Sequence, residues 1–307
     1  MNFRHINVMG MSRTEYTQND FTGNYKPCCG GKFLVLQSSE AGAVNLAPVS
    51  FLLILLPCIM WTYVVPPFFQ SDVIITTGVS IVEWGFVVCS LYNLVKCYTT
   101  EPGNLPFKEI ETPLESGCSE TYNKVVLTVD GEEAALITRR AKVCRQTKTV
   151  IERFDHYCPW TGNAIGRRNY PYFFSFVCFV TLLSLFTFIT SLICVLGQSD
   201  IYGGFSTYLS AKSSIATFQV VVCIYSITLF MTLIGLTTYH INLVCKNVTT
   251  NEDLKGVYRN QGSNPHDKGI CNNIHSILIS PTPPSLVKQG GSSMQNPLIE
   301  SRVDSVL

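Results

Sequence analysis

Three residues with the chemistry of an activated nucleophile lie within the segment "RFDHYCPW", residues 153–160. Cys158 supplies a thiol, His156 a base two residues before it, and Asp155 a carboxylate able to orient the imidazole. A thiol becomes a good nucleophile when a neighbouring base or imidazolium raises its thiolate fraction. In extended backbone, residues 156 and 158 project to the same side. Because such short segments also arise by chance, the meaning of this one depends on where the chain places it.

The chain around this segment is strongly apolar. Of its 307 residues 47% are hydrophobic and 14% are charged, and the mean hydropathy is +0.24; a soluble domain carries about 25% charged residues. Four apolar stretches exceed the roughly 20 residues that cross a bilayer as a helix. They lie between Glu40 and Asp72, from Val73 to Val95, between Arg168 and Asp200, and between Lys212 and Lys246. The sequence therefore predicts an all-α polytopic membrane protein with four transmembrane helices rather than a large soluble protein.

The basic residues predict the orientation of these helices. Of the 22 lysines and arginines, only Lys212 falls on the side opposite to the termini and the long loop at 96–169. The positive-inside rule then places both termini and this loop in the cytosol. Cysteines stay reduced there, so the 13 cysteines do not predict disulfides. A polar stretch at 1–40 gives no signal-peptide pattern, and a net charge of +1 gives no sign of a nucleic-acid partner.

The predicted organisation alternates membrane and cytosolic parts. The chain begins with a cytosolic segment at 1–46, followed by helices one and two within 47–95 and a cytosolic loop domain at 96–169. Helices three and four then lie within 170–245, and a cytosolic segment at 246–278 and a disordered tail at 279–307 end the chain. In the loop domain, "KVVLTVDGEEAALI" predicts a strand followed by a turn at Asp130-Gly131. About ten residues separate Cys158 from Arg168, where the third apolar stretch begins. The thiol is therefore expected at the membrane–water boundary, within reach of a lipid-like reactant.

Four segments, in order along the chain, resemble motifs of the DHHC protein S-acyltransferases, or palmitoyltransferases. "DHYCPW" followed by "GNAIGRRNYPYFF" and a transmembrane helix is similar to the catalytic core of that family. "EPG" at 101–103 resembles its Asp-Pro-Gly motif, "TTNE" at 249–252 matches TTxE, and "NPHDKGICNNI" at 264–274 resembles its C-terminal motif. The resemblance implies that a fatty acyl group passes from acyl-CoA, such as palmitoyl-CoA, to the motif cysteine and then to cysteines of substrate proteins.

Carried over by position, the resemblance assigns the catalytic roles. Cys158 is the acyl-accepting nucleophile, and His156 takes the thiol proton and returns it to the leaving CoA thiolate. Asp155 holds the imidazole in the required tautomer. The acyl chain is expected between the four helices, where each buried methylene contributes about 0.8 kcal/mol.

Five supporting positions follow from the same resemblance, and each has a plainer alternative. Thr250 is expected to approach Asp155, and Asn264 to brace the site against the fourth helix; a helix cap and a turn residue are the alternatives. Trp160 is expected near the acyl thioester, or in the interfacial aromatic belt. Arg167 and Arg168 are candidates for binding the CoA phosphates, or anionic lipid headgroups.

The sequence departs from the family at the zinc ligands. The family's loop domain binds two zinc ions through cysteine and histidine, and a structural zinc needs four such ligands. Of the expected ligand positions, only Cys144 keeps its residue; the others hold Val143, Thr147, Val150, Tyr157 and Ala164, and Cys118 stands without the second cysteine of its pair. No zinc is therefore expected, and Tyr157 marks a ligand position that the chain no longer needs.

Two other classes of function remain as alternatives. A catalytically inactive membrane scaffold or regulatory adaptor is the main one, although retention of the nucleophile argues against it. A channel or transporter is disfavoured because Glu83 and His240 are the main titratable residues within the spans. Golgi or another endomembrane is the location that the resemblance implies, with membrane-associated substrate proteins, acyl-CoA and the lipid bilayer as partners.

Overall fold

The computed structural model describes residues 25–28, 33–36, 44–69, 72–105, 125–129, 132–136, 140–259, 263–283 and 285. Four of its helices are long and apolar enough to cross a membrane, which confirms the four predicted spans. They are α1 at Ala47–Val64, extended by a 3-10 turn at Pro66–Phe69, α2 at Val73–Thr99, α3 at Tyr170–Ile201 and α5 at Ser213–Lys246. Shorter helices follow the third and fourth spans: α4 at Phe205–Ala211, α6 at Thr250–Leu254 and α7 at Ile270–Ile274.

The ends of the spans carry ordinary helix signals. Proline occupies the first turn of both α1 and α3, where the missing N–H costs no intrahelical hydrogen bond. The Asp72 carboxylate accepts hydrogen bonds from the backbone N–H groups of Ile74 and Ile75 at 3.0 Å each and so caps α2. Asn247 ends α5 in the left-handed conformation, with φ at 49°.

Buried polar pairs join the spans inside the bundle. The Thr187 hydroxyl of α3 donates to the Glu83 carboxylate of α2 at 2.8 Å, and Thr181 and Thr237 pair at 2.7 Å between α3 and α5. The indole N–H of Trp61 in α1 donates to another hydroxyl of α3 at 2.9 Å. Hydrogen bonds of this kind hold helices together where the surrounding lipid removes the hydrophobic driving force. Glu83 therefore has an interhelical hydrogen bond.

Short strands build the loop domain between α2 and α3. Three of them, β3 at Asn104–Leu105, β6 at Lys142–Cys144 and β7 at Thr149–Ile151, form a sheet with β7 in the middle. Two more, β8 at His156–Cys158 and β9 at Asn163–Ile165, form an antiparallel hairpin. The strand predicted in "KVVLTVDGEEAALI" is confirmed as β4 at Val125–Val129, which pairs with β5 at Glu132–Leu136. The turn predicted at Asp130-Gly131 lies outside the described residues.

An antiparallel hairpin precedes the first span. Its strands, β1 at Tyr25–Cys28 and β2 at Phe33–Leu36, pair along their whole length. Both strands fall in the segment that the sequence predicts as a polar cytosolic N-terminus. Most of the predicted disordered tail, from residue 286 onward, lies outside the described residues.

The loop domain is joined tightly to the start of α3. At Gly166, a side chain would collide with the Cγ2 atom of Ile151 and the carbonyl oxygen of Pro102. The Asn169 side chain accepts from the N–H of Gly166 at 2.9 Å and donates to the carbonyl of Ala164 at 2.8 Å. The β8–β9 hairpin, which holds the predicted nucleophile, and the third membrane span therefore form one continuous packed unit.

Candidate active site

Strand β8 places the predicted nucleophile and its base on one side of the backbone. The strand is extended over His156–Cys158, so the side chains two residues apart project together. Its partner β9 sets the register, with His156 opposite Ile165 and Cys158 opposite Asn163. Cys158 is 7% exposed, so its thiol lies almost out of contact with bulk water.

Asp155 orients the imidazole of His156. Its Oδ2 atom lies 2.6 Å from Nδ1 of His156, which leaves Nε2 of the ring for the thiol. The carboxylate is 1% exposed. Burial opposes its ionisation, but hydrogen bonds and charge from His156, together with two hydrogen bonds from Thr250, lower its pKa. A buried carboxylate that stays ionised stabilises a protonated imidazole beside it.

Thr250 holds Asp155 from the opposite side. Its hydroxyl donates to Oδ2 of Asp155 at 2.7 Å, and its backbone N–H donates to Oδ1 at 2.8 Å. The residue before it caps the helix: Thr249 and Glu252 exchange hydrogen bonds as a capping box, which fixes the start of α6. The backbone geometry of α6 therefore presents both donors of Thr250 to one carboxylate.

A second ion pair fixes α6 against the loop domain. Arg140 donates from Nε to Oε1 of Glu252 at 2.7 Å and from Nη2 to Oε2 at 2.6 Å. Its Nη1 atom also donates to Oδ1 of Asn247 at 2.9 Å, next to the end of α5. This two-pronged geometry is the strong form of an arginine–carboxylate pair. Arg140 and Glu252 therefore position Thr250 from a distance.

The thiol of Cys158 is activated by its neighbours. Burial raises its pKa, but the hydrogen bond and charge of His156, and hydrogen bonds from the side chain and backbone of Thr161, outweigh burial and lower it. For His156, burial lowers the pKa, while Asp155 and Cys158 raise it to about 9. The two shifts together favour a thiolate–imidazolium pair at neutral pH.

Thr161 is a candidate site residue that motif reasoning missed, because it hydrogen-bonds to the Cys158 thiol. It lies in the 3-10 turn Pro159–Thr161, whose N-cap residue is Cys158. Its hydroxyl also donates to the backbone carbonyl of Cys158 at 3.3 Å. No local sequence rule singles out a threonine at this spacing, so its position follows from the fold of the turn.

An aromatic wall borders His156, and motif reasoning missed this wall as well. The ring of Phe173 lies edge-on to both His156 and His240, with centroids 4.9 Å from each. His240 accepts or donates a hydrogen bond through Nδ1 to the Tyr170 hydroxyl at 3.2 Å, and Arg153 stacks over the Tyr170 ring at 5.3 Å. His240 stood out in the sequence as a titratable residue within a span, but its location beside His156 follows from helix packing alone.

The Cys158 side chain belongs to a cluster of buried apolar side chains at the cytosolic end of the predicted helix bundle. Cys158 packs with a cluster of buried side chains from the loop, the spans and the segment after α5. The buried members of this cluster are Cys97, Ile165, Tyr170, Phe173, Val177, Val244 and Ile277. These side chains shield the thiol from water and surround it with apolar surface.

Two of the predicted supporting residues occupy the edges of the site. Trp160 is 52% exposed, and its backbone carbonyl accepts from the Ser50 hydroxyl of α1 at 2.8 Å. Asn264 donates from Nδ2 to the carbonyl of Lys246 at 2.7 Å and to that of Asn247 at 3.2 Å, which places it against the end of the fourth span. Neither side chain contacts the Asp155–His156 pair directly.

The two arginines predicted to bind phosphate are already paired with carboxylates. Arg167 forms an ion pair with Glu152 through Nη1, and Arg168 forms one with Glu101 of the "EPG" segment. Arg168 also donates from Nε to the carbonyl of Pro283 at 2.9 Å. A phosphate would therefore be a second partner for each guanidinium, and the phosphate-binding role stays a prediction.

The residues at the family's zinc positions do not fit a zinc ion. Cys144 donates its thiol to Oε1 of Gln146 at 3.4 Å. The hydroxyls of Thr147 and Thr149 pair at 2.8 Å, and Thr149 donates on to the Asn104 side chain at 3.2 Å. Among the described residues there is no group of three histidine, cysteine, aspartate or glutamate side chains that could hold a metal. Hydroxyls, valine and alanine are not the thiolate and imidazole ligands that structural zinc requires.

Comparison with known proteins identifies the family. Residues 133–257 match the model described as DHHC palmitoyltransferase. The chain is 29% identical to palmitoyltransferase ZDHHC18 of Mus musculus over 312 residues, which cover 93% of this chain and 78% of that protein. It is 36% identical to palmitoyltransferase ZDHHC9 of Homo sapiens over 155 residues, covering 50% of this chain and 41% of that one. Motifs, membrane helices and these similarities agree: the chain carries a DHHC palmitoyltransferase domain at residues 133–257 and is homologous to these palmitoyltransferases.

Proposed function

We propose that this protein is a protein S-acyltransferase that moves a palmitoyl group from palmitoyl-CoA to its own Cys158 and then to cysteines of substrate proteins. The observation that carries the proposal is the unbroken chain of contacts from Thr250 through Asp155 and His156 to the thiol. Each member of that chain has one function in activating a sulfur nucleophile.

In the first half of the reaction, the Cys158 thiolate attacks the carbonyl carbon of palmitoyl-CoA. The tetrahedral intermediate collapses, the carbon–sulfur bond to CoA breaks, and a thioester to Cys158 forms. The CoA thiolate leaves with the proton that the His156 imidazolium returns to it. One thioester has replaced another, so no oxidant or further reactant is needed.

In the second half, the thiol of a substrate protein takes the place of CoA. Neutral His156 removes the proton from that thiol, and the sulfur attacks the acyl carbon on Cys158. Cys158 leaves as a thiolate and again pairs with the imidazolium. The enzyme thus returns to its starting state, as a ping-pong mechanism requires.

Asp155 and Thr250 serve this cycle without touching the acyl group. Asp155 keeps the Nδ1 proton of His156 in place and stabilises the imidazolium that forms in each half. Thr250 prevents the carboxylate from turning away, because two donors of the same residue hold its two oxygens.

The apolar cluster beside Cys158 is the proposed site for the acyl chain. Trp160, two residues after Cys158 and 52% exposed, is the proposed contact for the thioester. Arg167 and Arg168 are the proposed contacts for the CoA phosphates, because each guanidinium keeps N–H groups beyond those that pair with Glu152 and Glu101. Acyl-CoA is a substrate in this scheme, and no resident cofactor is needed.

The basic residues favour an orientation with both termini and the loop domain in the cytosol, where acyl-CoA and thiol substrates meet. The protein is an integral multi-pass membrane protein, and Golgi or another endomembrane is its proposed location. Its proposed partners are cytosol-facing or membrane-associated proteins with acceptor cysteines.

The test is autoacylation of the purified full-length protein in detergent with labelled palmitoyl-CoA. We expect a label that hydroxylamine removes, as thioesters require, and we expect Cys158→Ser to abolish it. The control is Cys271→Ser, which changes an exposed cysteine of α7 and should keep the label. Retention of the label by Cys158→Ser would contradict the proposal, and full cellular function of that variant would favour the scaffold alternative.

A further inference from the structure

Three of the family's ligand positions, Cys144, Tyr157 and Ala164, interact with a residue from outside the loop domain, Tyr25. Tyr25 of strand β1 is 3% exposed, although its hairpin precedes the first span. Burial raises the pKa of its phenol well above the usual value, and the nearby Cys144, Glu101 and Tyr157 add to that rise, while a backbone hydrogen bond with Ala164 lowers it. The chain has thus placed an aromatic ring among the positions that zinc ligands hold in the family that it resembles.

The hydroxyl of this ring reaches the partner strand of the nucleophile. Tyr25 donates to Oδ1 of Asn163 at 2.7 Å, and Asn163 lies opposite Cys158 in the β8–β9 hairpin. The Nδ2 group of Asn163 in turn donates to backbone carbonyls at the end of α2, those of Cys97 at 3.0 Å, Tyr98 at 3.2 Å and Thr100 at 3.0 Å. One amide therefore connects the N-terminal hairpin, the catalytic hairpin and the second span.

The segment just before α1 holds the other edge of the same hairpin. The hydroxyl of Tyr157 donates to the carbonyl of Val44 at 2.9 Å, and the backbone N–H of Leu46 donates to the carbonyl of Pro159 at 2.8 Å. Asn45 lies so close to Gly162 that any side chain at 162 would collide with it. Tyr157, at a former metal position, has become a hydrogen-bond donor to this segment.

We propose that in this chain the N-terminal hairpin and the segment at 44–50 hold the catalytic hairpin in place of a metal, with Tyr25 as the positioning residue that acts on Cys158 through Asn163. The inference rests on the proposed function for its catalytic consequence. Tyr25 and the segment at 44–50 lie outside the segments that resemble family motifs. Tyr25 touches no reacting atom, so its effect is on the alignment of the thiol with His156.

The first test replaces only the hydroxyl, in the full-length protein. Tyr25→Phe keeps the buried ring and removes the donor to Asn163; Tyr63→Phe, at a residue that is 76% exposed, is the matched control. The readouts are the autoacylation rate and the pH midpoint for alkylation of Cys158 by iodoacetamide, followed by peptide mass spectrometry. We expect a loss of rate of about fivefold, the worth of one hydrogen bond, and a midpoint shifted to higher pH, because the thiol loses alignment with His156.

A double-mutant cycle separates positioning from general stability. Asn163→Ala removes the acceptor, so Tyr25→Phe in that background should have no further effect on the alkylation midpoint. An equal midpoint in Tyr25→Phe and the parent protein, or full additivity of the two substitutions, would overturn the proposed role of Tyr25.

Metal content tests the other half of the inference. We expect the purified protein to contain substoichiometric zinc, and we expect 1,10-phenanthroline to change neither the melting temperature nor the alkylation midpoint. Stoichiometric zinc whose removal changes the melting temperature and the alkylation midpoint would overturn the proposal that these segments hold the hairpin in place of a metal. Alkylation and melting need no acyl transfer, so absence of autoacylation with a normal Tyr25 effect would contradict the proposed function and leave this inference standing.

Discussion

Two neighbouring parts of the loop domain differ in how many of the family's residues they keep. Strand β8 and its partners keep the aspartate, the histidine and the cysteine, and each has a hydrogen bond that suits its role. Strands β6 and β7 and the turn between them keep Cys144 alone among the family's ligands and hold valine and threonine at the other positions. The difference indicates that positions with a proposed chemical role tolerate substitution less than positions that support the fold.

The physical reason lies in what each role demands. Proton transfer to a thiolate needs a group with a suitable pKa at hydrogen-bond distance, and few side chains provide one. Holding two strands together needs only free energy, on the order of 10 kcal/mol when zinc supplies it. Hydrogen bonds of about 1 kcal/mol each and buried side chains of about 2 kcal/mol each can supply the same amount in many combinations. In this chain Cys144, Ile151 and Ala164 pack together, with Phe154 and Tyr157 against them.

Asp155→Asn tests the proposed reacting residues, the part of the loop domain where we expect no replacement to be tolerated. The backbone N–H of Thr250 will bind the amide oxygen, which turns the amide NH2 toward Nδ1 of His156 and forces the tautomer that cannot take the thiol proton. We expect the autoacylation rate to fall by roughly three to four orders of magnitude. The control Asp200→Asn, at an exposed residue near the end of α3, should keep the parent rate. A loss below tenfold would show that Asp155 does not set the tautomer.

Arg140→Leu tests a supporting pair that is buried. It leaves the carboxylate of Glu252, 7% exposed, without its partner, and such a loss costs about 3–5 kcal/mol. We expect a lower melting temperature together with slower autoacylation, since α6 carries Thr250. Arg145→Leu, at an exposed position in the same loop domain, is the control. An unchanged melting temperature would contradict the assignment of Arg140 as an anchor of α6.

Thr250→Val separates the hydroxyl of Thr250 from its backbone. It removes one donor to Asp155 and keeps the N–H bond, and a hydrogen bond to a charged group is worth about 1.5–3 kcal/mol. We expect a reduction in the autoacylation rate of about tenfold at an unchanged Km for palmitoyl-CoA. Thr228→Val, which makes the same change on an exposed face of α5, should leave the rate alone. A change in Km with a constant maximal rate would place Thr250 in acyl-CoA binding instead.

The pH dependence sharpens the description of the thiolate–imidazolium pair. The pKa of Cys158 is lowered, so the thiolate persists below about 8.5, the value of a free thiol, and is lost as the pH falls through the lowered value. The pKa of His156 is raised to about 9, so its proton is lost as the pH rises through about 9. The pair therefore exists between these two limits. Alkylation of Cys158 in native protein should begin at lower pH than in denatured protein; equal midpoints would contradict the pair.

Cys144→Ala gives the smallest expected effect. The thiol is buried but bonds only to Gln146 at the long distance of 3.4 Å, so the substitution should cost about 1 kcal/mol of stability. Autoacylation should stay near the parent level. A zinc ligand would behave differently, because its loss would remove the metal and the fold that depends on it. Loss of autoacylation in Cys144→Ala would thus contradict the reading of β6 and β7 as a metal-free support.

Sequence patterns predicted much of this molecule where local signals are strong. The four spans follow from long apolar stretches, because the bilayer imposes a minimum helix length on each. The candidate nucleophile, base and carboxylate follow from three adjacent residue types. The approach of Thr250 to Asp155 came from the family resemblance, since 95 residues separate them and no local rule connects them.

Other features of the site could not be predicted from the amino-acid sequence. Phe173 and His240 lie one on each side of a helix interface, so their meeting beside His156 depends on how α3 and α5 pack. Tyr25 belongs to a segment that looked merely polar, and its burial among former metal positions depends on a hairpin folding back onto the loop domain. Arg167 and Arg168 looked like free cations because their carboxylate partners are distant in sequence or in a different turn.

By itself, then, the sequence determined the membrane architecture and predicted the reacting groups and a loop domain without zinc, since each depends on composition or on residues close together in the chain. The tertiary structure decided which groups surround the thiol and which segments pack against the proposed catalytic hairpin. Its contribution is physical: contacts between distant segments form only when packing brings them together, and residues that hold the site, such as Tyr25 and Asn163, are recognised by their partners and not by their type.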